Sequence, residues 1–582
     1  MRKIFIIFFI YVIYGQWSYD WSVRTDHHGK PAGIFTTSPF PITEDSTTYH
    51  VKTDEYPSGL ELNLGTKYYV DGHNGSDSNG GTSLSDEWET IAHAISAVSS
   101  GNKTIIIRGA HDGFDGIYLE HGLSLNGKSG TDQTHRYTIV GYNQERPIID
   151  AEETNETDIF SRADDDSAYI TLQRMTLRNS ARYGIILNSY TVGYERDRFF
   201  WCFDLNMKDC FNSTIYYLNA DLGWIYHCTV DSTWGHAYKI GDGASFCKIE
   251  WCVVNGAGYY PGLSVDSLEA THSACGIDLP SDNDDPRNAQ YDTVRYNIVK
   301  YAYAYGMQFR YNRLFNVHHN EIDSCGWFGW RSPPGGVLST VHNYNIIFYA
   351  GWTEGEFYSN LIHDGACTGD GSGSGSPDGT GLYISSCDNL TPTINIYNNL
   401  FYGYTGNCIR INSSNTGATI RLLNNSFYKD TPVGYTQDEC LIDLMGSETT
   451  SENNIFYQNG TGACVDYQSD TNNDYNLYYH PNGSEGDYVD GAHDVTPESQ
   501  DFWLAIMSGA FSTNEGALDS LGSATDAGTS QSGYFTDDYD SNTRSAPWDL
   551  GAREYSGGVG GEAAPVGSVG NSYDNEIDKI SN

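Results

Sequence analysis

The chain has 582 residues and carries 75 Asp plus Glu against 32 Lys plus Arg, a formal net charge of -43. So acidic a surface excludes nucleic acid and anionic membranes as natural partners, and it repels polyanionic sugars unless a cation or a local basic strip intervenes. Calcium binding and adaptation to salty water would both suit it. The length exceeds one compact core, which leaves several domains or one elongated repeat architecture.

In chain order, "MRKIFIIFFIYVIY" places Arg2 and Lys3 ahead of an apolar run and "GQWS" follows it. Residues 1–16 therefore read as a secretory signal peptide, with a run too short to span a bilayer comfortably. The mature protein is expected to be secreted or at the cell surface, with no membrane insertion after signal removal. Residues 17–66 form an N-terminal extension, and residues 67–101 a leading strand and capping helix. Within the latter, "TSLSDEWETIAHAISAVSSG" (82–101) predicts an amphipathic helix over the first coil, with Ser85 as N-cap and Gly101 beyond its end. "KTIIIRGA" then enters a solenoid assigned to 102–555, and 556–582 reads as a flexible tail.

Self-similarity carries the fold assignment. "VRYNIVKY", "VHHNEIDS", "FYSNLIHD", "IYNNLFYG", "LLNNSFYK", "SENNIFYQ" and "NDYNLYYH" align on Asn297, Asn320, Asn360, Asn399, Asn425, Asn454 and Asn476, with Cys228 and Cys252 in the same column upstream. The shorter Asn-to-Asn steps fit one coil of three short strands, and the longer ones fit coils with loop insertions such as "GDGSGSGSPDGTG" (369–381). An Asn at one bend of every coil can bond the backbone above and below and tolerates left-handed dihedrals. The fold class is thus all-β, a right-handed parallel β-helix with a short N-terminal capping helix.

A second set of segments alternates apolar and polar residues, including "YGIILNS", "GHAYKIG", "CGIDLPS", "YGMQFRY", "TGLYISS" and "NCIRINS". Strands with one buried face alternate in this way. Their outward column is read as Lys239, Asp278, Gln308, Arg310, Tyr383, Arg410 and Asp466. The twelve cysteines lie between Cys202 and Cys464 with no CxxC pair, and several fall at repeat positions where a thiol stacks as a small apolar group, so zinc is not expected and one or two disulfides remain open.

"YYVDGHNGSDSNGGTSLSDEWETIAHAI", "TIIIRGA", "YTIVGYNQERPIID" and the late "RSAPWDLGAREY" resemble secreted bacterial right-handed parallel β-helix proteins over roughly residues 67–555. In that group a "DLGA.E" segment closes the coil. "GHAYKIGDGASFCKIEWCVVN" is similar to a stretch of the family 9 polysaccharide lyases, with Gly235, Ala237 and Lys239 matching one strand and Cys252 and Asn255 the next coil. The chain departs from that family at Trp234, where the family has Asp, and "GAGYYPGLSVDSLEATHSACGIDL" stands where the family has its calcium cluster. The resemblance implies β-elimination on a uronate-containing glycan, in which a positive group neutralises the sugar carboxylate and a base removes the α proton.

On this reading Lys239 is the candidate base, Arg310 the neutralising cation and His236 a second base or acid. The acidic turn "IDLPSDNDDPRNAQYD" (277–292) offers Asp278, Asp282, Asp284 and Asp285 as oxygen ligands for calcium. Aromatic residues make up 14% of the chain, and Trp327, Trp330, Arg331 and Tyr383 are the expected sugar-contacting residues. His318 and His319 lie on a coil bend beside that Trp pair. The partner is expected to be an extracellular polysaccharide. A non-catalytic glycan-binding adhesin and a tailspike-like structural protein are the alternatives, and a hydrolase would need two carboxyl groups across a cleft.

Overall fold

The computed structural model describes residues 45–51, 60–143, 145–153, 157–164, 168–188, 197–218, 220–241, 244–258, 274–280, 291–312, 314–326, 342–349, 354–365, 378–385, 393–404, 406–411, 418–429, 442–444, 448–458, 464–467, 471–479, 491–495, 518 and 523–555. Three parallel sheets of 14, 13 and 12 strands run its length, each taking one strand per coil. Sheet I runs from Thr66–Val70 to Thr471–Asp474, sheet II from Ile117–Tyr118 to Leu477–Tyr479, and sheet III from Leu123–Ser124 to Val465–Tyr467. This is the right-handed parallel β-helix that the Asn repeat predicts. At about 4.8 Å per rung, sheet I is about 60 Å long.

The three bends of the coil differ in kind. Between sheets I and II the chain turns in two residues from Ile170–Gln173 onward. The first is left-handed even when bulky, as at Trp251 (φ 58), Tyr296 (φ 56) and His319 (φ 56), and the second is the repeated Asn. Those Asn side chains form a buried ladder. Asn297 donates through Nδ2 to Asn320 Oδ1 at 3.0 Å, and the pattern continues through Asn360, Asn399, Asn425 and Asn454 to Asn476. At its start Asn297 Oδ1 accepts from the Cys252 N–H at 2.9 Å, and at its end Asp494 accepts from the Asn476 N–H at 2.8 Å. A satisfied amide ladder removes the cost of burying the bend's polar groups. Upstream, the buried column continues as Met175, Leu205, Cys228 and Cys252.

Cysteines serve this scaffold as packing groups. Cys202, Cys210, Cys228, Cys252 and Cys325 are buried and form no disulfide, and Cys228 Sγ donates to the Cys202 carbonyl at 3.3 Å.

Both ends of the assigned solenoid differ in detail from expectation. Thr66–Val70 already pairs with Lys103–Ile107 as the first rung of sheet I. The helix between them, α1 (Ile91–Ala97), is shorter than 82–101. Its N-cap is Thr90, whose hydroxyl accepts from the His93 N–H at 3.1 Å, and not Ser85, which lies in the preceding turn. Ile91, Ala94 and Ile95 face the coil interior. Residues 523–555, which contain "DLGARE", run beside the I/II bend. Asn398, Asn424 and Asn453 donate to the carbonyls of Asp537, Asp549 and Thr529, and buried Arg544 bonds Asn398 Oδ1 at 2.9 Å. Among the described residues no helix is long and apolar enough to cross a membrane.

Candidate functional site

The bends bounding sheet III carry the long insertions. Residues 259–273, 327–341, 366–377 and 430–441 leave between sheets II and III, and 189–196, 281–290, 386–392 and 412–417 leave between sheets III and I. The outward side of sheet III therefore lies between two rows of insertion points, whereas the I/II bend is two residues from Ile170–Gln173 onward. Trp327, Trp330, Arg331, Asp282, Asp284 and Asp285, together with the signal-peptide stretch, lie outside the described residues.

Alternation sets which sheet III residues face out. Tyr238 and Ile240, Ile277 and Leu279, and Met307 and Phe309 belong to the core, so Lys239, Asp278 and Gln308 point away from it. They are Cα partners on consecutive rungs, with Tyr216 one rung before and Ile347, Tyr383 and Arg410 following. Arg310 does not share this column, as the sequence reading had placed it. It lies two residues further along the strand, where its Cα partners are Pro280 and Tyr349.

A further outward column arises from a local irregularity. His236 and Cys275 begin their strands and lie outside the core, although each is three residues before Lys239 or Asp278. Strict alternation would put one member of each pair inside. The residues between them explain the exception, because Ala237 is buried in the core and a Cβ at Gly276 would meet Val299 Cγ1 at 2.3 Å. Two successive residues thus turn inward, and only a small side chain fits the first of them. His236, Cys275 and Asp278 consequently converge on one face.

Their contacts are specific. His236 Nδ1 lies 3.4 Å from Asp278 Oδ2 and accepts from the Cys275 backbone N–H at 3.2 Å. The Cys275 thiol lies 3.3 Å from Gln308 Oε1. Although they face outward, His236, Cys275 and Asp278 are 9%, 0% and 4% exposed. Burial, with the charges of Lys239 and Arg310 added, pushes the His236 pKa down to about 3, so the imidazole is neutral at ordinary pH. Burial, joined by the Asp278 charge, holds the Cys275 thiol well above its ordinary value, against the pull of Lys239 and Arg310. The Lys239 ammonium sits 4.9 Å from the centroid of the Tyr216 ring.

Beyond this polar centre the face becomes aromatic. Tyr344 stacks on Tyr305 with centroids 6.1 Å apart and on Tyr383 at 4.4 Å. One face of the Tyr383 ring is thus covered. His318 and His319 lie on the I/II bend, away from sheet III, with Nδ1 atoms 2.7 Å apart and the His318 ring stacked on Tyr358 at 4.5 Å. The structure brings Lys239, His236, Asp278 and Arg310 together. Sequence reasoning missed Cys275, whose signal was its place before a small residue, as His236 precedes Ala237.

No known protein family matches the sequence, and no curated protein matches it. Solved structures similar to this chain include XylC in complex with xylose, at 11% identity and TM-score 0.45, covering 84% of this chain and 98% of that one. The GH136 lacto-N-biosidase from Eubacterium ramulus aligns at 13% identity and TM-score 0.44, covering 73% and 68%. Pectate lyase Pel9A aligns at 14% identity and TM-score 0.38, covering 85% and 97%.

Proposed function

We propose that the protein is a secreted carbohydrate-active β-helix protein, and that the outward face of sheet III cleaves a uronate-containing polysaccharide by β-elimination. The observation that supports this reading is the grouping of Lys239, Arg310 and His236 around Asp278 on adjacent rungs, between two rows of insertion points. A basic strip of Lys239, Arg310 and Arg410 gives an acidic protein a local place for an acidic sugar. In this reading Arg310 neutralises the uronate carboxylate and Lys239 takes the α proton. The bond to the leaving oxygen then breaks, a carbon–carbon double bond forms, and water protonates the leaving oxygen. His236, neutral and buried, serves as an acceptor and not as an acid.

A hydrolase is less well supported. Its two carboxyl groups stand about 5–10 Å apart. Among the outward residues of the Asp278 column whose side chains are described, from Ser124 to Arg410, Asp278 is the one carboxylate.

The deciding experiment incubates the purified protein with alginate, pectate and glycosaminoglycans, with and without calcium, and follows the ultraviolet absorbance of unsaturated chain ends. New unsaturated ends on one uronate polymer are expected. Retained binding without new ends across the panel would overturn the lyase reading and leave a glycan-binding module.

A further inference from the structure

We propose that His236, Cys275 and Asp278 form a binding site for a zinc-class divalent metal ion on the outward face of sheet III. The nitrogen, sulfur and carboxylate oxygen that these residues offer all lie within 4.8 Å of one another. All three are at least nine-tenths buried.

The nitrogen-to-oxygen edge suits a small tetrahedral site. Zinc–nitrogen and zinc–oxygen bonds of about 2.0–2.1 Å set a ligand-to-ligand edge of about 3.3 Å, and His236 Nδ1 and Asp278 Oδ2 are 3.4 Å apart. The protonation pattern points the same way. Nδ1 accepts the Cys275 N–H and is therefore unprotonated, the state in which an imidazole nitrogen takes a metal ion. On binding, Nδ1 exchanges its 3.2 Å amide contact for the ion.

The donor set selects the class of ion. Calcium takes six to eight oxygen ligands, whereas one thiol, one imidazole and one carboxylate suit zinc or cobalt with a fourth position open. Gln308 Oε1 accepts from the Cys275 thiol at 3.3 Å, and once that proton leaves, the amide must turn to present its NH2 to the sulfur. The Cys275 thiol loses its proton to solvent as the sulfur–metal bond forms. A divalent ion with one thiolate and one carboxylate is then neutral overall, which limits its repulsion with Lys239 and Arg310. Affinity therefore rises with pH. The site stands on these donors alone and does not depend on the lyase reading.

The test titrates the full-length, chelator-treated protein with Co2+, followed by competition with Zn2+. One equivalent of Co2+ is expected, with a thiolate-to-cobalt charge-transfer band that Zn2+ abolishes and that strengthens from weakly acidic to weakly alkaline pH. Cys275→Ser should lose the band, and His236→Ala and Asp278→Asn should each weaken binding at least tenfold, with folding checked by circular dichroism. Absence of stoichiometric uptake, binding of calcium alone, or a band that survives in folded C275S would each overturn the proposal. If C275S does not fold, the wild-type protein still decides: X-ray absorption of the zinc form must show one sulfur ligand, and an oxygen-only shell would overturn the site. Because the readout is ion binding, its failure is distinguishable from failure of the glycan assay.

Discussion

Lys300 Nζ donates to Asp323 Oδ2 at 2.8 Å from the neighbouring rung of sheet II and also bonds Glu321, with all three side chains largely buried. His363, on the next rung, bonds Asp364 through Nδ1 at 2.9 Å, and its Nε2 lies 3.5 Å from Glu321. Burial works against charge on Lys300, yet Glu321 and Asp323 outweigh it and hold the ammonium above its ordinary pKa. Removing the cation takes the ammonium away from two buried carboxylates and leaves them His363 and, for Asp323, the Ser324 hydroxyl. Lys300→Met is expected to cost about 3–5 kcal/mol, read as a lower denaturant midpoint.

The first coil contains the opposite arrangement. Glu87 is 5% exposed, lies near Asp71 and has Arg108 Nη1 3.6 Å away. Burial, reinforced by the Asp71 charge, raises its pKa from an ordinary 4.5 to about 7. The folded chain therefore holds this proton more tightly than the unfolded chain, and stability falls as pH rises from about 4.5 through 7. Glu87→Gln is expected to stabilise the N-terminal coil at pH above 7 by about 1–3 kcal/mol and to flatten most of that slope. A residual slope is expected from His111. Burial lowers its pKa, but its bond to the Gly109 carbonyl and its pairing with Asp71 prevail and raise it, so its contribution is also lost as pH rises. Thermal melts across this range, resolved for the first coil by hydrogen exchange, check both statements.

The sequence disclosed the scaffold because a period leaves its mark on every coil. The Asn column, its Cys228 and Cys252 precursors and the strand carrying Lys239 were all readable from residue spacing. The charge network was readable by the same means, since Lys300, Asp323 and His363 each follow a ladder Asn by three residues, but opposite charges disguised the column. Two features were not accessible to periodicity. The inward turn at Ala237 and Gly276 breaks the alternation locally, so Cys275 joins the site unannounced, whereas Arg310 faces the same side as Gln308 but two residues further along the strand. The helix start depends on which hydroxyl meets the His93 N–H, and "TSLSDEWET" offers several.

Ladder position should grade the cost of losing an Asn. Asn399 donates to Phe357 O, Tyr397 O and Asn425 Oδ1, and its Oδ1 accepts from Asn360 Nδ2 at 3.0 Å. Asn399→Cys strands groups on both sides, and about 2–4 kcal/mol is expected from the buried partners left unmade. Asn297→Cys only moves the ladder's start by one coil, to a residue type the column already holds at Cys252, and is expected to cost about half as much. Equal losses in urea unfolding would show that the ladder does not act as a chain.

Lys239 and Arg310 face away from the core, so their removal should separate chemistry from folding. A positioned base contributes about 10²–10⁴-fold to a proton-transfer step. Lys239→Ala is therefore expected to lower kcat by at least about a hundredfold while leaving KM within about threefold. Arg310→Ala removes a cation that meets the substrate carboxylate before and during proton removal, so KM should rise and kcat should fall together. The replacement Arg310→Lys retains charge without the planar fork and is expected to recover part of the KM effect and less of kcat. Melting midpoints of all three variants should stay within a few degrees of the parent. An unchanged rate of unsaturated-end formation in Lys239→Ala would remove it from the role of base, since no other part of the β-elimination assigned to this face requires an amine at that rung.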